Sequence, residues 1–422
     1  MRRISCVLVT LLLLLAALLP QIASAKGGGE QFCKALRARL VRGGGQASGL
    51  YVIDAETGEP VCARAARRQR PLASNMKLFT TSTTLARFHP DTRIATKVIA
   101  DGPVDKHGVL HGNLYLKGGG DPTLGSPAFY DAFHGGLGTN LYALKAQLRG
   151  RVGLTQVTGR LYADDTIFDR LRGVADSGYA TSGEIGPLSG LDFNSGFADS
   201  HAHGFASDPA KLAAAKLVAG LRGAGVAIRP QVALGKAPEE SAGGTHSIAA
   251  VESPTMSAIV NYTDVNSDNF FAEMLIKLLG AHFGGEGSTA AGARVVEQFA
   301  RSKGSGLHAV DGSGLTRTGR ASPLQVVRLL EAMRTSAVGD EFVSDLALAG
   351  HEGTVADRMH GTAADGRCRT KTGTLTGVSN LSGYCFNRDG RVMAFSILMG
   401  SVGNLTLAHA EQDRIAAAVA AY

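Results

Sequence analysis

The stretch Pro71-Leu72-Ala73-Ser74-Asn75-Met76-Lys77-Leu78-Phe79-Thr80-Thr81 sets a serine and a lysine three positions apart, just ahead of an apolar run. On a helix, positions i and i+3 share a face, so the Lys77 amine can stand beside the Ser74 hydroxyl. A serine hydroxyl is a weak nucleophile until a neighbouring base takes its proton. A lysine can be that base only where burial or a nearby cation lowers its pKa. The pattern makes Ser74 a candidate nucleophile and Lys77 its candidate base. The plainer reading is a helix start, with Ser74 as N-cap and Lys77 in solvent. A chain of this length can hold one Ser-x-x-Lys by chance, so the rest of the sequence must decide.

Two later pieces bear on the choice. Ser267-Asp268-Asn269 stands at the head of a helical pattern in which Phe270, Phe271, Met274, Leu275, Leu278 and Leu279 recur as core positions. Lys371-Thr372-Gly373 lies in the Thr-rich run Arg369 to Leu375, which suits a strand. The three motifs occur in order, on helix, loop and strand, and the set resembles the penicillin-interacting signature. The Gly118 to Leu124 loop, Asp311 to Leu315, Gly350-His351-Glu352-Gly353-Thr354 with Arg358, and Lys371 to Gly377 extend the likeness. Together they resemble the low-molecular-mass class C penicillin-binding proteins, D-alanyl-D-alanine carboxypeptidases/endopeptidases of the penicillin-binding protein 4 type.

That resemblance implies an α/β (α+β) fold. Its catalytic domain is of the penicillin-binding transpeptidase/β-lactamase-like kind, an antiparallel sheet flanked by helices. An inserted mixed α/β region interrupts it between the first two motifs, which 267 − 74 = 193 positions separate. It also implies acyl transfer on peptidoglycan stem peptides, with β-lactam antibiotics as acylating inhibitors and neither metal nor cofactor. Ser74 would attack the carbonyl, and the amides of Ser74 and Thr374 would hold the oxyanion. Ser267 would relay a proton to the leaving group, and Asn269 would bond the substrate amide. Lys371 would help keep Lys77 neutral and, with Thr372 and Thr374, hold a terminal carboxylate. Gly373 would let the substrate backbone approach the strand edge. Arg358 and Thr376 would lie near the substrate side chain, and Asp176 is a candidate acidic residue from the inserted region.

Composition narrows the setting. Arg2 and Arg3, the apolar run Val7 to Leu19 and Ala23-Ser24-Ala25 read as an export signal over 1–25. The expected mature chain has 422 − 25 = 397 residues, more than one core usually fills. We expect a first catalytic segment over 26–91, the insertion over 92–250 and a second catalytic segment over 251–422. No later run is long and apolar enough to cross a membrane, so an exported, periplasmic or extracellular, wall-associated protein is expected. The formal charge of +7 becomes +5 without Arg2 and Arg3, a balance compatible with anionic wall polymers. No basic block is interleaved with aromatics, which argues against nucleic acid.

Four cysteines lie beyond the signal, Cys33, Cys62, Cys368 and Cys385, and they allow three connectivities. Export permits disulfides. If the chain turns back over Leu375 to Asn380, Cys368 falls opposite Cys385 and Thr372 opposite Leu381, so Cys368–Cys385 and Cys33–Cys62 are the expected pairs. Their spacing does not suit zinc. His201-Ala202-His203 falls in a Gly/Ser/Asp-rich loop without evident partner ligands and reads as solvent-facing.

Two rival functions remain. A class A β-lactamase needs a Glu-x-x-x-Asn loop between the second and third motifs, and no asparagine occurs between Asn269 and Lys371. A non-catalytic wall-binding protein would have no need of the intact Ser74, Lys77, Ser267 and Lys371. A Gly-x-Ser-x-Gly elbow is absent, and Gly312-Ser313-Gly314 reads as a structural turn.

Overall fold

Early and late stretches of the sequence share one antiparallel sheet. The computed structural model describes residues 29–240 and 245–422, so the expected export signal lies outside the described residues. The sheet order is Ala347–Leu348, Cys368–Leu375, Val378–Phe386, Val392–Gly400, Gly49–Asp54, Pro60–Arg64. The two middle strands are buried almost end to end, because helices cover both faces. One face packs on the helical stretch 29–44 and on Leu405–Ala421 through Leu36, Leu40, Ile415 and Val419. The other packs on Pro323–Arg334, behind which Met76–Phe88, Asn269–Phe283 and Thr289–Ser302 complete the largest core.

Register follows the sequence expectation. Thr372 pairs with Leu381 and Cys368 with Cys385. The reversal is tighter than the expected Leu375–Asn380 turn: Leu375 pairs with Val378, leaving Thr376-Gly377 as the corner, where Gly377 takes φ +74. Disulfides join Cys368 to Cys385 and Cys33 to Cys62.

A second sheet runs Val232–Leu234, Leu161–Asp164, Leu114–Lys117, Ala95–Ala100, His246–Glu252. The first three strands are parallel and the last two pairings antiparallel. Helices Pro209–Gly223 and Tyr142–Gly150 pack on it around a separate core. The stretch Val226 to Leu234 is a strand only over Val232–Leu234; Pro230, which has no N–H to give, precedes it. The run Val109 to Lys117 splits in two at His111-Gly112-Asn113. Strand His246–Glu252 was not anticipated, because what makes it a strand is pairing with Ala95–Ala100, about 150 positions earlier in the chain.

Tyr384 is fully buried, and its hydroxyl donates to the Leu330 carbonyl at 2.5 Å, pinning the sheet to the Pro323–Arg334 helix. Tyr384→Phe should cost about 1–2 kcal/mol, read as a lower denaturant midpoint at unchanged m-value.

Candidate active site

Ser74 lies in a single 3-10 turn, Ala73–Asn75, that runs straight into helix Met76–Phe88. Ala73 is held at φ +46, a conformation that costs a non-glycine residue about 1–3 kcal/mol. The sheet holds the turn in place. Asn380 Nδ2 donates to the Leu72 carbonyl at 2.7 Å, while Asn75 Nδ2 donates to the Lys371 carbonyl at 3.0 Å. Ser382 Oγ donates to Asn75 Oδ1 at 2.6 Å. A Cβ on Gly373 would stand 3.0 Å from the Ser74 nitrogen, a tight contact that glycine avoids where the strand meets the turn. Asn75 and Asn380 escaped the sequence reading. Their partners lie about 300 residues away, and no local pattern marks them.

Lys77 is fully buried. Its Nζ sits 3.1 Å from Ser74 Oγ, 2.8 Å from Asn269 Oδ1 and 3.0 Å from the Ser313 carbonyl oxygen. Burial lowers its pKa to about 8, against the opposing pull of Asp268, Glu273, Asp311 and Asp264. Lys371 is buried as well, and burial together with the Lys77 charge holds it below the usual lysine range.

The second motif arrives at the head of helix Asn269–Phe283. Asp268 is the N-cap, accepting from the Phe271 amide at 2.8 Å, which gives the middle residue of the motif a structural task. Ser267 adopts φ +59. The Asn269 amide group has a defined orientation: Nδ2 donates to the Glu184 carbonyl at 3.2 Å, leaving Oδ1 for Lys77.

Ser74, Ser267, Asn269, Thr372, Gly373, Thr374, Thr376 and Arg358 line one cleft of about 560 Å³. Lys371 does not line it; its amine lies within the structure, donating to the Thr372 carbonyl at 3.2 Å. Thr372 Oγ1 bonds Thr354 Oγ1 at 2.8 Å. Arg358 reaches the cleft with its guanidinium already paired to Asp413 at 2.6 Å and to Gln412 at 3.0 Å. Asp176 is turned to another task, accepting from the Arg317 amide at 3.2 Å, and the acidic residue at the cleft is Glu184. Leu315 and His409 also line it, unforeseen because loop and helix bring them there from far along the chain. A larger hollow, about 670 Å³, lies beside Cys33 and Cys62 and contains none of the motif residues.

His201 and His203 are exposed, but the sequence reading missed a partner: Asp199 puts its carboxylate within 4.8 Å of both imidazoles. Loop closure brings the three together, and His203 Nδ1 lies 3.2 Å from Asp199 Oδ2.

Comparison with known proteins places this geometry. Residues 34–188 and 198–421 match the D-Ala-D-Ala carboxypeptidase 3 (S13) family of peptidases. The chain belongs to that family. It is 31% identical to the D-alanyl-D-alanine carboxypeptidase of an Actinomadura species, over 90% of this chain and 82% of that protein. It is 29% identical to carboxypeptidase DacB of Mycolicibacterium smegmatis, over 83% of this chain and 76% of the other. In fold it is similar to penicillin binding protein 4 from Haemophilus influenzae, with a TM-score of 0.74 at 19% identity over 92% of this chain and 99% of that one.

Asn75→Ala would leave the Lys371 carbonyl and the Ser382 hydroxyl short of a buried partner. It should destabilise the protein by about 2–4 kcal/mol, measured by chemical unfolding against the wild type.

Proposed function

We propose that the protein is a serine DD-peptidase that cleaves D-alanyl bonds of peptidoglycan stem peptides through an acyl-Ser74 intermediate, and that penicillins acylate the same hydroxyl. The observation that carries this reading is the set of three contacts around Lys77 Nζ. Asn269 Oδ1 and the Ser313 carbonyl are acceptors only. A neutral amine has two hydrogens and one lone pair. Donating both hydrogens to those two oxygens leaves the lone pair facing the third neighbour, Ser74 Oγ. Lys77 is then oriented as a base for the serine proton.

The steps follow. Ser74 Oγ attacks the carbonyl carbon as its proton passes to Lys77. Negative charge develops on the carbonyl oxygen, for which the amides of Ser74 and Thr374 are the donors. Ser267 relays that proton from Lys77 to the departing D-alanine nitrogen, which restores the free amine, and water then hydrolyses the ester. Among the described residues, no strand covers the outer edge of the Cys368–Leu375 strand beyond Arg369-Thr370. The substrate backbone can extend the sheet there, with Asn269 bonding its amide. The Thr372 and Thr374 hydroxyls, with Lys371 beneath them, would receive the terminal carboxylate, and Thr376 would stand with Arg358 near the substrate side chain. Arg358 contributes to the wall, although Asp413 offsets much of its charge.

We place the working protein outside the cytoplasm, where its substrate lies. No described helix is long and apolar enough to cross a membrane. We take 26–91 with 251–422 as the catalytic unit and 92–250 as the insertion. The separate core of the second sheet supports that division.

Ser74→Ala should abolish both D-alanine release from a stem pentapeptide and penicillin labelling seen by intact mass, with the melting curve preserved. A variant that still takes the label would move the nucleophile elsewhere.

The acylation rate should depend on pH with a definite sign. With its pKa lowered to about 8, Lys77 is roughly one-tenth free base at pH 7, against about 0.03% for an unshifted lysine. The acylation rate constant should climb about tenfold per unit below pH 8 and level off above it. A rate that stays flat from pH 6 to 9 would count against Lys77 as the base.

A further inference from the structure

We propose that Glu273 is a positioning residue for Lys77: it holds the Asp311–Leu315 turn where the Ser313 carbonyl meets the lysine amine, and so sets the direction of the nitrogen lone pair. The inference rests on the peptidase reading above and adds a residue to it.

Glu273 is fully buried on helix Asn269–Phe283, one turn past Asn269. Its Oε1 accepts from the Gly312 amide at 3.0 Å and the Ser313 amide at 2.7 Å. The same turn is held from two other sides. Asp311 takes the Gly314 amide at 2.8 Å and the Thr316 amide at 2.6 Å, and Thr80 Oγ1 donates to the Gly312 carbonyl at 2.9 Å. Its glycines are required by contact. A Cβ on Gly312 would stand 2.3 Å from the Ala272 carbonyl oxygen, and one on Gly314, at φ +87, 1.8 Å from that of Ala73. The turn is thus wedged between the second-motif helix and the Ser74 turn. The one carbonyl it offers to the catalytic machinery is that of Ser313, 3.0 Å from Lys77 Nζ.

At neutral pH and below, Glu273 suits this task as a neutral acid. Among the described residues, its Oε2 has no hydrogen-bond partner and is buried. An ionised carboxylate there would be costly. Burial and the neighbouring Asp311 raise its pKa to about 8. Kept neutral, it still offers Oε1 to both amides. The other charged groups acting on Lys77 are Asp268, Asp311, Asp264 and Lys371. A further negative charge from Glu273 would favour the ammonium, which has no lone pair to turn toward Ser74.

The test is the rate of benzylpenicillin acylation from pH 6 to 9, with non-covalent binding and the covalent step measured separately. Glu273→Gln keeps the Oε1 acceptor and should acylate within about threefold of wild type, with the acid limb unmoved. Glu273→Leu removes the acceptor and should slow the covalent step about 100-fold or more while initial binding holds. Glu273→Asp withdraws the oxygen by one methylene and should slow it about tenfold; it decides the matter if the Leu variant does not fold. Wild-type covalent rates in the Leu or Asp variant would overturn the inference. So would a Gln variant as slow as the Leu variant, or one whose acid limb moves to lower pH, which would show that Glu273 acts through its charge. A wild-type protein that takes no penicillin at all would overturn the peptidase reading, and this inference with it.

Discussion

The arrangement depends on one buried amine. Removing a lysine ammonium from water without a touching counter-ion is costly, so the group loses its proton more readily than it would in water. At Lys77 that loss is useful, because a neutral amine has a lone pair and an ammonium does not. Neutrality alone would leave the lone pair free to point anywhere. Two acceptors that cannot donate, Asn269 Oδ1 and the Ser313 carbonyl, remove that freedom and leave Ser74 Oγ as the remaining neighbour. Burial sets the protonation state, and hydrogen bonding sets the direction.

Each acceptor is itself held by something remote. Asn269 keeps its orientation because the Glu184 carbonyl takes its Nδ2. Ser313 keeps its place because the turn around it is bonded to Glu273, Asp311 and Thr80. The strained backbone at Ala73 and Ser267 belongs to the same constraint. Each lies at or beside a motif serine and costs about 1–3 kcal/mol. Buried hydrogen bonds from Asn75 and Asn380 tie the Ala73–Asn75 turn to the sheet and offset that strain.

The 92–250 region contributes to the site as well as filling out the chain. Its Glu184 reaches the cleft, and its Asp169 forms an ion pair with buried Lys277 on the second-motif helix. Two turns of that helix separate Asn269 from Lys277. Asp169 and Glu184 therefore hold the helix near both ends of the segment that supplies Asn269 and Glu273, a rigid mounting for residues that must be positioned closely.

Much of this was legible in the sequence. The three motifs, their helix, loop and strand settings, and the Cys368–Cys385 register follow from local chemistry, because i,i+3 spacing and strand alternation are properties of a few neighbouring residues. Local pattern could not show that Gly312-Ser313-Gly314 does more than turn the chain, that Glu184 and not Asp176 faces the cleft, or that Lys371 lies beneath the cleft wall. Nor could it mark Asn75, Asn380 or Glu273. These residues act through partners some forty to three hundred positions away, and a buried polar side chain has no meaning until its partner is in place. The sequence by itself determined which groups could react; only the tertiary structure decided which atoms Lys77 touches, and hence where its lone pair points.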